Sequence, residues 1–254
     1  MDRDPGAEGQ PSVGWAAAYV RARYREGRLL SDAIVAQLPD VPRGDSLADE
    51  WRLRVDSTAR LLAYLTTMRR PLTIVDLGCG NGWLSHRMAA ELGDGCRVAG
   101  VDFSGVELEQ ARRVFGAQTN LSFSRGDFLD GALPVDRPDV VVLASTIQYV
   151  PDPRALIETL FDSMAASGEV HVLDSPIYQP HEVAEARDRS RRHFESIGVS
   201  EMVEAYRHHH WGAFAELPYE VLYQPDDRVN VIARRVLRRA RSPFPWLRFR
   251  TRPR

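Results

Sequence analysis

Leu72-Thr-Ile-Val-Asp76-Leu-Gly78-Cys79-Gly80-Asn81-Gly82-Trp-Leu-Ser85, followed after a helical stretch by Val98-Ala-Gly-Val-Asp102, carries most of what this chain says about itself. The short apolar run predicts a buried strand, and glycines at alternate positions predict a tight loop. A helix then leads to a second apolar run that ends in an aspartate. This is half of a nucleotide-binding βαβ unit. The loop brings backbone N–H groups and a helix start close to an anionic group. A carboxylate at the end of the second strand can hydrogen-bond a ribose diol.

The alternation continues outward. Strands are predicted at 72–77, 96–101, 121–125, 139–144 and 169–174, with helices at about 82–92, 104–115 and 153–166. Ser104-Gly-Val-Glu107 fits a capping box. Asp152-Pro153 places an N-cap acid before a proline at the first helical position, and Gly168 is placed to end that helix. Strands alternating with helices predict an α/β fold with a mostly parallel sheet covered on both faces. Upstream, Trp15–Leu30 and Leu47–Met68 show helical spacing, so 13–69 is expected to be a helical cap, and the Gly/Pro/acid-rich residues 1–12 a disordered tail. Downstream, Pro180–Ile197 reads as a charged helix within a lid insertion at about 175–215. Tyr219–Gln224 and Phe244–Arg250 read as strands flanking a helix at Asp227–Arg239, with the last strand an antiparallel edge addition.

Composition removes several chemistries. All 33 basic residues are arginine, and the chain has no lysine. A Walker P-loop, a Schiff base and a Tyr-x-x-x-Lys dehydrogenase each need one. The only two cysteines, Cys79 and Cys96, fit neither a disulfide framework nor a cysteine-rich zinc site. Consecutive imidazoles at His208, His209 and His210 do not converge on one helix face, so no metal is expected; one of them is a candidate general base. The net charge of −2 gives no global field toward nucleic acid or membrane. The arginine-rich run from Arg234 to Arg254 reads as a solvated helix face and free end. No apolar run approaches the roughly 20 residues that span a bilayer. The first residues lack the apolar core of a signal peptide, so the cytoplasm is the expected location.

Two cofactors compete for the glycine loop. A dinucleotide fingerprint needs a small third residue; counted from Gly78 that place holds Trp83, and counted from Gly80 it holds Ser85. A nucleotide-dependent oxidoreductase using the Gly80 frame is thus one alternative, and a non-catalytic cofactor-binding module another. Val75–Gly82, however, resembles motif I of the class I S-adenosylmethionine-dependent methyltransferases. Val101–Ser104, Arg125–Phe128 and Asp139–Pro153 resemble the motifs that follow. The resemblance covers about 71–175 and departs from the family only in lacking a proline-glycine-glycine turn before the fifth strand. It implies a Rossmann-like seven-stranded sheet with an antiparallel edge hairpin, and S-adenosylmethionine as cofactor. It further implies that Asp76 and the loop Gly78, Cys79, Gly80, Asn81 and Gly82 hold the methionine tail and that Asp102 takes the ribose. Asp127 with Phe103 or Phe128 would hold the adenine, and Ala144 and Ser145 would face the transferred methyl.

Methyl transfer is an in-line displacement that chiefly needs alignment and exclusion of water. No obligatory catalytic residue is therefore expected. Acceptor-side candidates lie where open α/β sheets bind ligands, beyond the carboxyl ends of the strands: Gln148 and Tyr149 after the fourth, Asp174 and Tyr178 after the fifth. The segment Ala144–Tyr149 lacks the Asn/Asp-Pro-Pro-Tyr motif of amino-methylating DNA enzymes. The expected partner is a small-molecule acceptor methylated on O, N or C.

Overall fold

The computed structural model describes residues 13–41, 44, 46–127, 132–235 and 240–251, with backbone alone for 13–15, 234 and 235. Seven strands form one sheet: β1 (Thr73–Leu77), β2 (Arg97–Asp102), β3 (Leu121–Arg125), β4 (Val140–Ala144), β5 (Glu169–Leu173), β6 (Tyr219–Tyr223) and β7 (Trp246–Arg250), in the order β3-β2-β1-β4-β5-β7-β6. The first five run parallel. β7 is antiparallel to both neighbours, β5 and β6, which gives the expected edge hairpin, but the last strand lies inside it and β6, not β7, forms the edge of the sheet. The carboxyl ends of β1, β2, β4 and β5 therefore lie along one edge, and the switch from β1–β2 to β4 opens a crevice there.

Alternation along the strands divides the core in two. Ile74, Val140 and Val142 pack on one face with residues of α3 (Ala48–Thr67) and α4 (Trp83–Leu92). Val75, Leu77, Val141 and Leu143 pack on the other with α6 (Pro153–Ser163). A parallel sheet buried on both faces needs such unbroken apolar runs. The helix α5 (Gly105–Phe115) crosses between β2 and β3.

A roof lies over the carboxyl edge. Its first member is α1 (Val13–Arg25), and its others are α7 (Val183–Ser196) and the short α8 (Met202–Ala205). Ala18 and Ala22 of α1 share a buried cluster with Phe194, Val199 and Met202. The remaining short helices are α2 (Asp32–Val35) and α9 (Arg228–Arg235).

Several element ends differ from expectation for local reasons. α1 stops at Arg25 because Gly27 takes a left-handed φ of 68°. The helix expected to end at Gly168 ends at Ser163, where Met164 becomes extended and sinks into the core. Asp152 caps α6 as expected, accepting from the N–H groups of Arg154 and Ala155 at 3.0 Å each. The charged stretch after Pro180 begins as a 3-10 turn before α7. Residues 236–239, 128–131 and the tail 1–12 lie outside the described residues.

Candidate active site

The glycine loop is held by β2 and not by its own bonds alone. The N–H groups of Gly78 and Cys79 both donate to the Val101 carbonyl, at 2.8 and 3.0 Å. Asp102 finishes the clamp: one carboxylate oxygen accepts from Gly80 N–H and the other from Ser104 N–H, each at 2.8 Å. Gly78 (φ 76°) and Gly82 (φ 78°) have no room for a side chain. A Cβ on the first would lie 2.5 Å from Thr146 Oγ1, and one on the second 2.6 Å from the Phe123 ring. Gly80 differs, since a Cβ there would face the Glu107 carboxylate at 3.3 Å. Asn81 is buried and its side-chain oxygen receives the Trp83 N–H at 3.4 Å.

Asp76 is buried on the same edge and accepts a 2.6 Å bond from Ser85 Oγ. Burial pushes its carboxyl up to about 6, against the pull of that hydroxyl. Burial also raises Asp102, and the Glu107 charge adds to it. The Cys79 thiol is held well above its ordinary range by burial and by the surrounding carboxylates, which makes it a poor nucleophile.

A cavity of about 570 Å³ lies between this edge and the roof. Asp76, Gly78, Cys79, Gly80 and Asn81 line it from the loop; Ala144, Ser145, Gln148 and Tyr149 line it from β4; Asp174 lines it from β5. Tyr19 and Arg23 of α1, Trp51 and Arg54 of α3, and Phe194, Met202 and Tyr206 of the downstream roof complete the wall. The strand ends that reach it are bent sharply: Ser145 and Asp174 both adopt left-handed φ values, 55° and 53°. Ser145 Oγ ties them together by donating to the Asp174 carbonyl at 3.0 Å. Non-glycine residues in this region cost of order 1–3 kcal/mol each and gather where side chains must be aimed.

The acceptor-side candidates separate clearly. Gln148 Nε2 donates to the Ser145 carbonyl at 2.6 Å, while its Oε1 is buried with no partner among the described residues. Tyr149 meets Tyr19 and Tyr206 edge-on, and burial pushes its phenol up to about 12, so it stays protonated. The Asp174 carboxylate accepts from Ser57 Oγ at 2.8 Å, and burial raises it against the opposing Arg54 charge. Arg28 and Arg54 both bind Glu50 on the wall; burial works against the Glu50 charge, yet they hold this carboxyl down at about 2.

Tyr178 and the three histidines lie behind the wall. The His209 Nε2–H is shared between the carbonyls of Ile147 and Val150 at 3.1 and 3.0 Å. His210 Nδ1 accepts from Gly212 N–H at 3.0 Å and starts a 3-10 turn. His208 Nε2 lies 2.8 Å from Ser190 Oγ, and its ring packs against Tyr178 and Tyr206. Each imidazole thus has a local partner. Among the described residues no cluster of His, Cys, Asp and Glu could hold a metal ion.

Three adenosine-side candidates stand off the cavity. Asp102 backs the loop, Phe103 meets Tyr19 edge-on with centroids 5.2 Å apart, and Asp127 is exposed beyond β3. Phe128 lies outside the described residues. Glu107 is the residue that sequence patterning hid. The capping box is half formed: Ser104 Oγ accepts from Glu107 N–H at 3.5 Å, but the Ser104 N–H already belongs to Asp102. The Glu107 carboxylate therefore turns into the cavity, where Oε1 lies 3.6 Å from Arg23 Nη2 and Oε2 has no partner among the described residues.

Residues 69–206, more than half of the chain, match the family model described as a methyltransferase domain. The chain belongs to the class I S-adenosylmethionine-dependent methyltransferases. This class I methyltransferase is 34% identical over 101 residues to a ubiquinone biosynthesis O-methyltransferase of Nitrosomonas europaea, covering 39% of this chain and 41% of the relative. It is 30% identical over 145 residues to a trans-aconitate 2-methyltransferase of Methylobacterium radiotolerans, covering 57% and 52%. The chain spans about half the length of the curated relatives it matches. In fold it is similar to the plantazolicin methyltransferase solved with SAH and a triazolic desmethylPZN analog. That likeness has a TM-score of 0.55 and 13% identity over 94% of this chain and 97% of the other. Family membership sets aside the oxidoreductase frame, and the structure gives its Ser85 another task, the bond to Asp76. No helix among the described residues of this methyltransferase is long and apolar enough to cross a membrane.

Proposed function

We propose that this chain transfers a methyl group from S-adenosylmethionine to a small organic acceptor held in the roofed cavity. One observation carries the proposal: the glycine loop, the bent ends of β4 and β5, and the roof all border a single cavity. The wall fits the cofactor's charges. Asp76 and Glu107 offer two carboxylates to a molecule that bears a sulfonium and an ammonium, and Glu107 and Gln148 each present a buried oxygen with no partner among the described residues.

When bound, the cofactor supplies an electrophilic methyl carbon. Asp76 and the N–H groups of the loop hold the amino-acid tail, and Ser145 and Ala144 set the floor beneath the reacting atoms. Trp51, Phe194, Met202 and Tyr206 exclude water and pack on the acceptor. Asp174 takes the proton of an acceptor hydroxyl, with Arg54 close enough to oppose its burial shift. Gln148 Oε1 accepts a hydrogen bond from the same acceptor. The relatives named for ubiquinone biosynthesis and trans-aconitate support an acceptor of small-molecule size. Neither a nucleic-acid partner nor a bilayer is called for by this cavity, and the cytoplasm is the proposed location.

The test is calorimetric titration with S-adenosylmethionine, followed by a metabolite-extract screen with methyl-labelled cofactor. Binding followed by label transfer to a small compound is the expected result. A folded protein that binds no cofactor refutes the proposal, and binding without any transfer favours a cofactor-sensing module.

A further inference from the structure

Among the described residues four arginines border the cavity, and three of them are already engaged. Arg28 gives both Nη groups to Glu50 at 2.6 Å, and its Nε lies 3.0 Å from Glu26. Arg54 donates to Glu50 at 2.8 Å and Arg189 to Glu185 at 2.7 Å. Arg23 of α1 differs. Its Nη2 comes no nearer than 3.6 Å to Glu107 Oε1, longer than the roughly 2.7–2.9 Å of a charge-assisted bond. Its Nε is buried with no partner among the described residues. The Tyr19 ring lies beside the guanidinium, with its centroid 5.9 Å from Cζ. A guanidinium has five N–H donors and no acceptor, so this one calls for an anion.

The glycine loop is short of donors for an anion. The N–H groups of Gly78 and Cys79 go to the Val101 carbonyl, that of Gly80 to Asp102, that of Gly82 to the Cys79 carbonyl and that of Trp83 to the Asn81 side chain. An N–H carries one hydrogen, so across 78–83 the Asn81 N–H is what remains for a ligand. Arg23 reaches this side of the cavity. Glu107 Oε1, which it approaches, also faces Gly80, where a Cβ would lie 3.3 Å away. The charges suit a tail that bears two cations and one anion: Asp76 and Glu107 oppose the sulfonium and the ammonium, and Arg23 opposes the carboxylate.

We infer that Arg23, with the Asn81 N–H, binds the carboxylate of the cofactor's amino-acid tail, and that this bond fastens the roof helix α1 over the site. The assignment rests on the methyltransferase function proposed above. Within the roof, α1 is held by Ala18 and Ala22 against Phe194, Val199 and Met202, and by an exposed Arg21–Glu201 pair of the kind that contributes little. Toward the sheet it offers Tyr19, edge-on to Phe103 and Tyr149. The carboxylate adds a charge-assisted tie between α1 and the loop. The wall around the acceptor is therefore completed once the cofactor is in place, and the cofactor binds first.

The probes are S-adenosylhomocysteine and its decarboxylated analogue, whose aminopropyl tail keeps the thioether and the ammonium and lacks only the carboxylate. Both are titrated calorimetrically into the full chain. A hydrogen bond to a charged group is worth about tenfold or more, so two of them should give the wild type about a hundredfold preference for S-adenosylhomocysteine. Arg23→Gln should cut the preference to about tenfold and bind the decarboxylated probe no more weakly than the wild type does. Hydrogen exchange over residues 16–25 reads the roof: S-adenosylhomocysteine should slow it more than the decarboxylated probe in the wild type, and the difference should vanish in Arg23→Gln. Thermal melting checks that the variant folds. If it does not, Arg23→Lys, which keeps the charge without the planar fork, must show a smaller preference than the wild type. An undiminished preference in the folded variant, or equal weakening of both probes, overturns the assignment, as does a wild type without preference. Equal protection of α1 by the two probes overturns the fastening of the roof. A wild type that binds neither probe refutes the methyltransferase function itself.

Discussion

Asp76 links proton uptake to cofactor binding. It is 2% exposed, it accepts from the Ser85 hydroxyl, and burial pushes its carboxyl up to about 6. In the unfolded chain the same group titrates near about 3.9. Folding therefore favours the protonated form. The stabilising contribution is fully present below about pH 4 and is lost as pH rises through about 6; at pH 7 the ionised carboxylate costs up to about 3 kcal/mol at 1.36 kcal/mol per unit. An ammonium placed against Asp76 reverses the preference, because the bound state needs the carboxylate ionised. At pH 5 a group titrating near 6 is about ten-elevenths protonated, and at pH 7 about one-eleventh, so affinity for S-adenosylhomocysteine should fall about tenfold from pH 7 to pH 5. Asp76→Asn should abolish that slope and raise the melting temperature of the ligand-free protein at pH 7. Calorimetry at pH 5, 6 and 7 in two buffers of different ionisation enthalpy measures both the affinity and the protons released. An affinity that stays flat across this range, or a slope that survives in Asp76→Asn, would falsify the role given to this carboxylate.

Three further outcomes can be checked on purified protein. Gly82→Ala forces a Cβ into the Phe123 ring at 2.6 Å and an L-residue into φ 78°; the left-handed conformation and the overpacking should together cost about 2–5 kcal/mol in a denaturant titration. His209→Ala strips the shared donor from two buried carbonyls and should cost about 1–3 kcal/mol of stability. It should leave the shape of the pH–rate profile untouched, whereas a lost acidic limb would make this histidine the general base after all. Asp152→Ala removes the acceptor for two N–H groups at the start of α6 and should cost about 1 kcal/mol in thermal melting, with cofactor affinity unchanged.

What could be seen in the sequence follows how local each signal is. The Leu72–Asp102 stretch was legible because a strand, a glycine loop and a helix start leave short-range marks, and the seven-stranded sheet with its edge hairpin came with the resemblance to the family, although the strand order did not. Asp152 and Pro153 announced α6 for the same local reason. Glu107 was misread because its spacing from Ser104 suits a capping box; only the placement of β2 reveals that Asp102 reaches the Ser104 N–H first. The histidines invited a chemical role because their bonds to Ile147, Val150, Ser190 and Gly212 depend on chain contacts that no spacing records. The roof of α1 was legible as a helix, but its partners Phe194 and Met202 lie in segments far along the chain.

That last distance sets an order of events during synthesis. α1 is made before its docking surface at Phe194, Val199 and Met202, which follows about 180 residues later. A nascent chain halted after β5 would already hold its five parallel strands and its glycine loop, with the crevice still open to water. The roof forms only when α1 meets a segment made long after it.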